Sequence, residues 1–224
     1  MVTLRAPLSY QATSAVLITV ILLLAVASLV VPSMVAAAVR PRSLVITALS
    51  LTGMVAVFTP ALFAQFAFDP AWESPASSVL LFALSLTVLA LITLGPMVLL
   101  AGMVFPATLA WLGDDGGDQR GRRWGWLLAV NGFGGVLGAE FAYRVLMPTI
   151  GVYPGIAFVG VLYAAAAFGV TLTAARTSAA PLRPAVRWMP AVATVVIMAG
   201  ALANSGYGVF SGGVRYLYKC KKIF

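Results

Sequence analysis

The chain has 224 residues, of which 62% are hydrophobic and only 9% charged, with a formal charge of +8 and a mean hydropathy of +1.02. A water-facing domain carries about 45–50% apolar and about 25% charged residues, so this composition excludes a soluble globular protein and predicts an all-α, polytopic integral membrane helix bundle. The sequence holds no histidine and a single cysteine, Cys220, which excludes imidazole catalysis or ligation and any intrachain disulfide.

A helix needs about 20 apolar residues to cross the hydrocarbon core, and the uncharged runs between Lys, Arg, Asp and Glu supply them. Six transmembrane helices are predicted, over 13–38, 43–66, 77–111, 124–147, 153–174 and 188–206. Together they form one transmembrane domain over 1–206, followed by a tail over 207–224. The first run follows Arg5 and reaches Val35-Ala36-Ala37-Ala38, as a signal peptide could. Its apolar core, Ala15 to Val31, exceeds the 7–15 residues of a signal h-region, so an uncleaved helix is expected. The third run is too long for one upright helix and contains Pro96 and Pro106. Proline frees a carbonyl and kinks a membrane helix, which predicts one long bent helix; the alternative is a re-entrant break at Gly95-Pro96.

The connection from Gly113 to Arg123 carries three acids and then three arginines around glycines. Asp118, Arg120, Arg122 and Arg123 read as a self-paired surface loop with a topological stop before helix four. Asp118 with Gly121-Arg122-Arg123 partly resembles the acidic-then-basic loop of major facilitator transporters. A phosphate-cradling loop is not indicated, because the glycines follow no strand and no Gly-Lys-Ser/Thr is present.

Within helix four, Asn131, Gly134, Gly135, Gly138 and Ala142 fall within about 100° of one another at 100° per residue. This smooth face, with Gly134-x-x-x-Gly138, is suited to close helix packing. Packing within the chain is the expectation and a dimer seam the alternative. Glu140 and Arg144 lie four residues apart on the opposite face. An intrahelical ion pair satisfies both; a polar site for a proton, a substrate or a partner subunit is the other reading.

The tail from Gly206 is glycine-rich, then carries Arg215, Tyr216, Tyr218, Lys219, Lys221 and Lys222. Tyr and Lys together suit the head-group layer, so an interfacial anchor is expected, with a short strand docking onto a partner as the alternative. The first, third and fifth connections hold Arg40, Arg42, Arg120, Arg122, Arg123, Arg176, Arg183 and Arg187. The opposite side holds Arg5 and the tail. The scatter of the basic residues argues against nucleic acid and for membrane topology and anionic lipids, and the positive-inside bias places both termini outside the cytoplasm.

The order Gly102-Met-Val-Phe-Pro106, Gly121-Arg-Arg123, Ala129-Val-Asn131, Gly134, Gly138 and Leu146-Met-Pro148-x-x-Gly151 resembles the membrane domain of bacterial spermidine synthase-like proteins. The resemblance is carried by about fifty residues. It implies a multi-helix membrane portion that precedes a soluble aminopropyltransferase-like domain of Rossmann type. The glycine-rich cofactor turn and acidic residues of that domain have no counterpart in these 224 residues, so no catalytic residue carries over. Asp114-Asp115-Gly116-Gly117 links two membrane helices and does not replace them.

Three functional readings follow. The first is a non-catalytic subunit of the bacterial inner membrane that scaffolds a larger, energy-transducing or other, membrane complex, with lipids and other membrane subunits as partners. The second is a transporter using Glu140, Arg144 and Asn131. The third is the membrane half of a spermidine synthase-like enzyme. No cofactor or metal is predicted; bound lipid or pigment stays open, and a pigment would need a backbone carbonyl, a water or a carboxylate such as Glu140.

Overall fold

The computed structural model describes residues 5–37, 39–67, 79–113, 120–177 and 183–206. Among them every regular element is helical: α1 (Arg5–Ala36), α2 (Pro41–Ala67), α3 (Val79–Thr93), α4 (Gly95–Gly113), α5 (Arg120–Phe141), a π-turn (Ala142–Leu146), α6 (Met147–Ile150), α7 (Val152–Thr177) and α8 (Pro184–Gly206). Five helices are long and apolar enough to cross a membrane: Val16–Ala36, Pro41–Leu62, Gly95–Gly113, Pro154–Ala174 and Pro184–Leu202. The helix expected over 124–147 is found as α5 (Arg120–Phe141) continued by the π-turn and α6 to Ile150, but it is not one of these five. Three arginines in its first turn, six glycines within it and Glu140 near its end make it the least apolar of the long helices.

Helix starts follow proline chemistry. Pro41 and Pro184 open α2 and α8, where a missing N–H costs nothing and φ is already helical. Each follows an arginine whose carbonyl receives the first bonds: Ser43 N and Leu44 N donate to Arg40 O at 3.0 and 3.2 Å, and Val186 N and Arg187 N donate to Arg183 O at 3.0 and 3.1 Å. A cation at a helix N-terminus opposes the helix dipole. These arginines are therefore placed by membrane topology and not by helix stability.

The long third run is one bent rod. Leu94 alone separates α3 from α4, and i to i−4 bonds cross it, Leu94 N to Ala90 O at 2.8 Å and Val98 N to Leu94 O at 2.9 Å. Pro96, which lacks an N–H, follows this junction, and the helical bonds that cross it carry the chain from α3 into α4. The first helix is integral to the core: Ala27 and Val31 are buried, and Gly102 of α4 meets Leu24 and Ala27.

α2 is the central helix, packed against α3, α4, α7 and α8. Val31, Leu44, Val45, Leu49, Ala107 and Ala167 form the main core cluster, and Val57, Ala164, Ala193 and Ile197 a second. The buried hydroxyls of Thr52, Thr93 and Thr171 donate to the carbonyls of Ala48, Leu89 and Ala167 at 2.7, 2.7 and 2.8 Å. Each polar group is thereby satisfied by its own helix. Ser50 Oγ is the exception, buried without a partner among the described residues.

These contacts fix the direction of each helix. Gly102 beside Leu24 and Ala27, with Ala107 beside Val31, makes α4 run parallel to α1. Gly53 beside Gly160, with Leu44 and Leu49 clustered with Ala167, makes α7 antiparallel to α2. The Arg42 guanidinium stacks over the Trp111 ring at 5.0 Å, so the α1–α2 connection and the end of α4 share one end of the bundle. Arg40, Arg42, Arg183 and Arg187 gather there, with the start of α5 close by in sequence.

Candidate functional site

α4 ends at the basic end and α7 begins at the other, so α5, the π-turn and α6 together return across the bundle's full height. They do so without packing into it. From Gly121 to Phe141 every residue is exposed except the half-buried Leu127. Extensive contacts of α5 are confined to its chain neighbours, α4 and the π-turn.

The smooth face predicted from the sequence is present, with Asn131, Gly134, Gly135 and Gly138 exposed and Ala142 half-buried. It does not pack within the chain. A Cβ added at Gly132, Gly134, Gly135 or Gly138 meets nothing within 4 Å, which corrects the expected internal packing. The glycines that do close helix contacts stand elsewhere. A Cβ at Gly53 would lie 2.8 Å from Gly160 O, one at Gly102 would lie 2.8 Å from Leu24 Cδ2, and one at Gly200 would lie 2.6 Å from Val57 Cγ1. Of these the sequence singled out only Gly102, and as part of a motif; Gly53 and Gly200 form no glycine pattern within their own helices.

Arg144 Nε donates to Glu140 Oε2 within one helical turn. The two side chains are 74% and 56% exposed in the chain alone, so they line no internal path. Arg144 sits inside the π-turn, whose widened ring is closed by Met147 N donating to Ala142 O. Pro148 explains the turn: it has no N–H, and its ring clashes with the carbonyl four residues earlier, that of Arg144. After α6 the chain reverses at Gly151, whose φ of +84° suits glycine and whose N–H reaches Leu146 O and Met147 O at 3.2 Å each.

Axial distances locate the charges. With Arg122 and Arg123 at one head-group layer, Arg144 lies about 31 Å farther along the axis, close to the roughly 30 Å thickness of a hydrocarbon core. Along this axis Trp124 and Trp126 stand beside the arginines that open α5, and Tyr143 stands beside Arg144. Glu140 lies about 6 Å before Arg144 by the same rise, within reach of the arginine's long stem.

At the near boundary Arg122, Arg123, Gly125, Trp126 and Ala129 line an open groove. Arg120 opens α5. Asp118 lies outside the described residues, as do the tail residues Arg215, Tyr216, Tyr218, Lys219, Lys221 and Lys222. Among the described residues no three acids or cysteines come together as a metal site would need. Comparison with protein-family models, curated proteins and solved structures found no match.

Proposed function

We propose that this chain is a non-catalytic integral membrane subunit that scaffolds or stabilises a larger membrane protein complex, with α5 as its docking helix. The observation that carries this reading is the free glycine face of α5, with open space at Gly134, Gly135 and Gly138 on a helix that spans the bundle's height beside it. Small residues let a neighbouring helix backbone approach closely, and an asparagine at the edge can hydrogen-bond across the contact. The basic end faces the cytoplasm of a bacterial inner membrane in this reading, following the positive-inside rule.

Gentle detergent extraction from the native membrane, followed by sizing and mass spectrometry, tests it. A stoichiometric complex that is lost in a Gly134→Leu, Gly138→Leu variant supports the reading; a lone chain of about 23 kDa overturns it.

Two further readings remain as proposals. The spermidine synthase-like stretch Gly102–Gly151 covers the second half of α4, α5, the π-turn and α6, and so includes the free face. The chain would then be the membrane half of such an enzyme, tested by whether its coding region continues past Phe224. A transporter reading draws on the Glu140–Arg144 pair beside a π-turn; liposome flux that is unchanged by Glu140→Gln removes its motive.

A further inference from the structure

We propose that the first two turns of α5 form a binding site for one anionic phospholipid, with Arg122 as the principal ligand of its phosphodiester and Gly125 and Ala129 as the floor for its acyl chain. The groove is an open trough of about 630 Å³ lined by one helix, more room than an inorganic anion fills. Its lining explains its shape. At 100° per residue Arg122, Gly125, Trp126 and Ala129 share a sector of about 100°, so a small-residue trough runs along the helix axis away from Arg122. A Cβ at Gly125 would meet nothing within 4 Å, and Trp126, 72% exposed, stands beside the trough as its wall. Phe133 and Val136 continue the apolar track toward the membrane interior, both exposed.

The charge pattern selects the occupant. A guanidinium binds two phosphate oxygens at once, and the N-terminal dipole of α5 adds positive potential at the same end. Arg123 is already engaged in an interaction within the chain, so Arg122 leads and Arg123 supports. The acid on the same helix, Glu140, is about 27 Å away along the axis; Asp114, Asp115 and Asp118 precede Arg122 in the sequence and lie outside the described residues. Trp126 sits at the depth where indole rings meet head groups. The site needs only α5 and the bilayer, so it stands or falls independently of any partner subunit.

The test uses the full chain in vesicles, with Trp126 as reporter. Fluorescence quenching by brominated phosphatidylglycerol is compared with quenching by brominated phosphatidylcholine, and the share belonging to Trp126 is taken as the difference from a Trp126→Phe variant. One arginine near the surface contributes about 1 kcal/mol toward an anionic lipid. Phosphatidylglycerol is therefore expected to be preferred at Trp126 by about fivefold, and Arg122→Gln to abolish the preference. Gly125→Leu, which keeps both charges and fills the trough, is expected to lower quenching by both lipids. Arg183→Gln, at the same end of the bundle but outside the groove, is expected to leave the ratio unchanged, and inorganic phosphate at constant ionic strength to displace nothing. Equal quenching by the two lipids, absence of quenching by either, or an equal response to Arg183→Gln would overturn the site. Displacement by inorganic phosphate would also overturn it, by showing a free anion in place of a lipid.

Discussion

Gly53 and Gly160 face each other where α2 and α7 cross: a Cβ on the first would lie 2.8 Å from the carbonyl oxygen of the second, and a Cβ on the second 3.0 Å from the carbonyl oxygen of the first. Both obstacles are backbone, so no side chain can move aside. Gly53→Ala or Gly160→Ala is expected to cost about 1–3 kcal/mol through overpacking. The double variant should cost less than the two together, because one helix shift relieves both clashes. Gly134→Ala and Gly138→Ala should leave the isolated chain unchanged or stabilise it by up to about 1 kcal/mol, since alanine is the better helix former. Denaturant unfolding in detergent, followed by circular dichroism, separates the two pairs.

That contrast also shows what the sequence could carry. Helix positions were legible because uncharged runs are long and their ends are marked by arginine and proline. The bend at Gly95-Pro96 and the Glu140–Arg144 pairing were legible because each is local to one helix. The packing partners were not. Gly134-x-x-x-Gly138 makes a pattern along a single helix, whereas Gly53, Gly160 and Gly200 make close contacts only once α7 and α8 are assembled against α2. The π-turn was illegible for a related reason: Pro148 marks a disturbance, but only tertiary geometry decides between a kink, a break and an inserted residue.

The Arg42–Trp111 contact links the start of α2 to the end of α4, with the guanidinium carbon 5.0 Å from the ring centroid. A double-mutant cycle with Arg42→Gln and Trp111→Leu should return a coupling of about 0.5–2 kcal/mol, the range for a cation–π pair between the exposed and desolvated limits. Zero coupling in thermal unfolding would show that Trp111 serves the core alone.

Ser50 carries a buried hydroxyl without a partner among the described residues, on the same side of α2 as Gly53 and Val57. An unsatisfied buried polar group costs free energy that its removal recovers. Ser50→Ala is expected to be neutral or stabilising by up to about 1 kcal/mol in detergent unfolding. Thr52→Ala, which deletes a hydroxyl bonded to Ala48 O at 2.7 Å, should show no such gain.

Glu140 and Arg144 should respond unequally to loss of their partner. Removing Glu140 leaves an arginine whose long stem reaches the head groups. If α5 crosses the bilayer, removing Arg144 strands a short carboxylate about 5 Å inside the boundary by helix rise, where an unpaired charge is costly. In lipid nanodiscs Arg144→Gln is expected to cost about 1 kcal/mol more than Glu140→Gln. In detergent, where both groups are largely exposed, each should stay within about 0.5 kcal/mol. Equal costs in the nanodisc would place the pair fully in the head-group layer.

The antiparallel order of the helices can be read directly from labelling. Arg40, Arg122 and Arg183 belong to one end of the bundle, and Gly151, in the α6–α7 reversal, to the other. In a Cys220→Ser background, single cysteines at positions 40, 122 and 183 should react with an impermeant maleimide from the same side of sealed, oriented vesicles. A cysteine at the neighbouring Ile150, which avoids the positive φ of Gly151, should react from the opposite side. The pattern discriminates because α5 is the least apolar long helix and makes few contacts with the bundle: if it lay along the surface instead of crossing, positions 122 and 150 would label from one side. That result would also bring α7 in from the wrong end, against the Gly53–Gly160 register, and labelling of position 150 thus tests the crossing of α5 and the packing of α7 on α2 together.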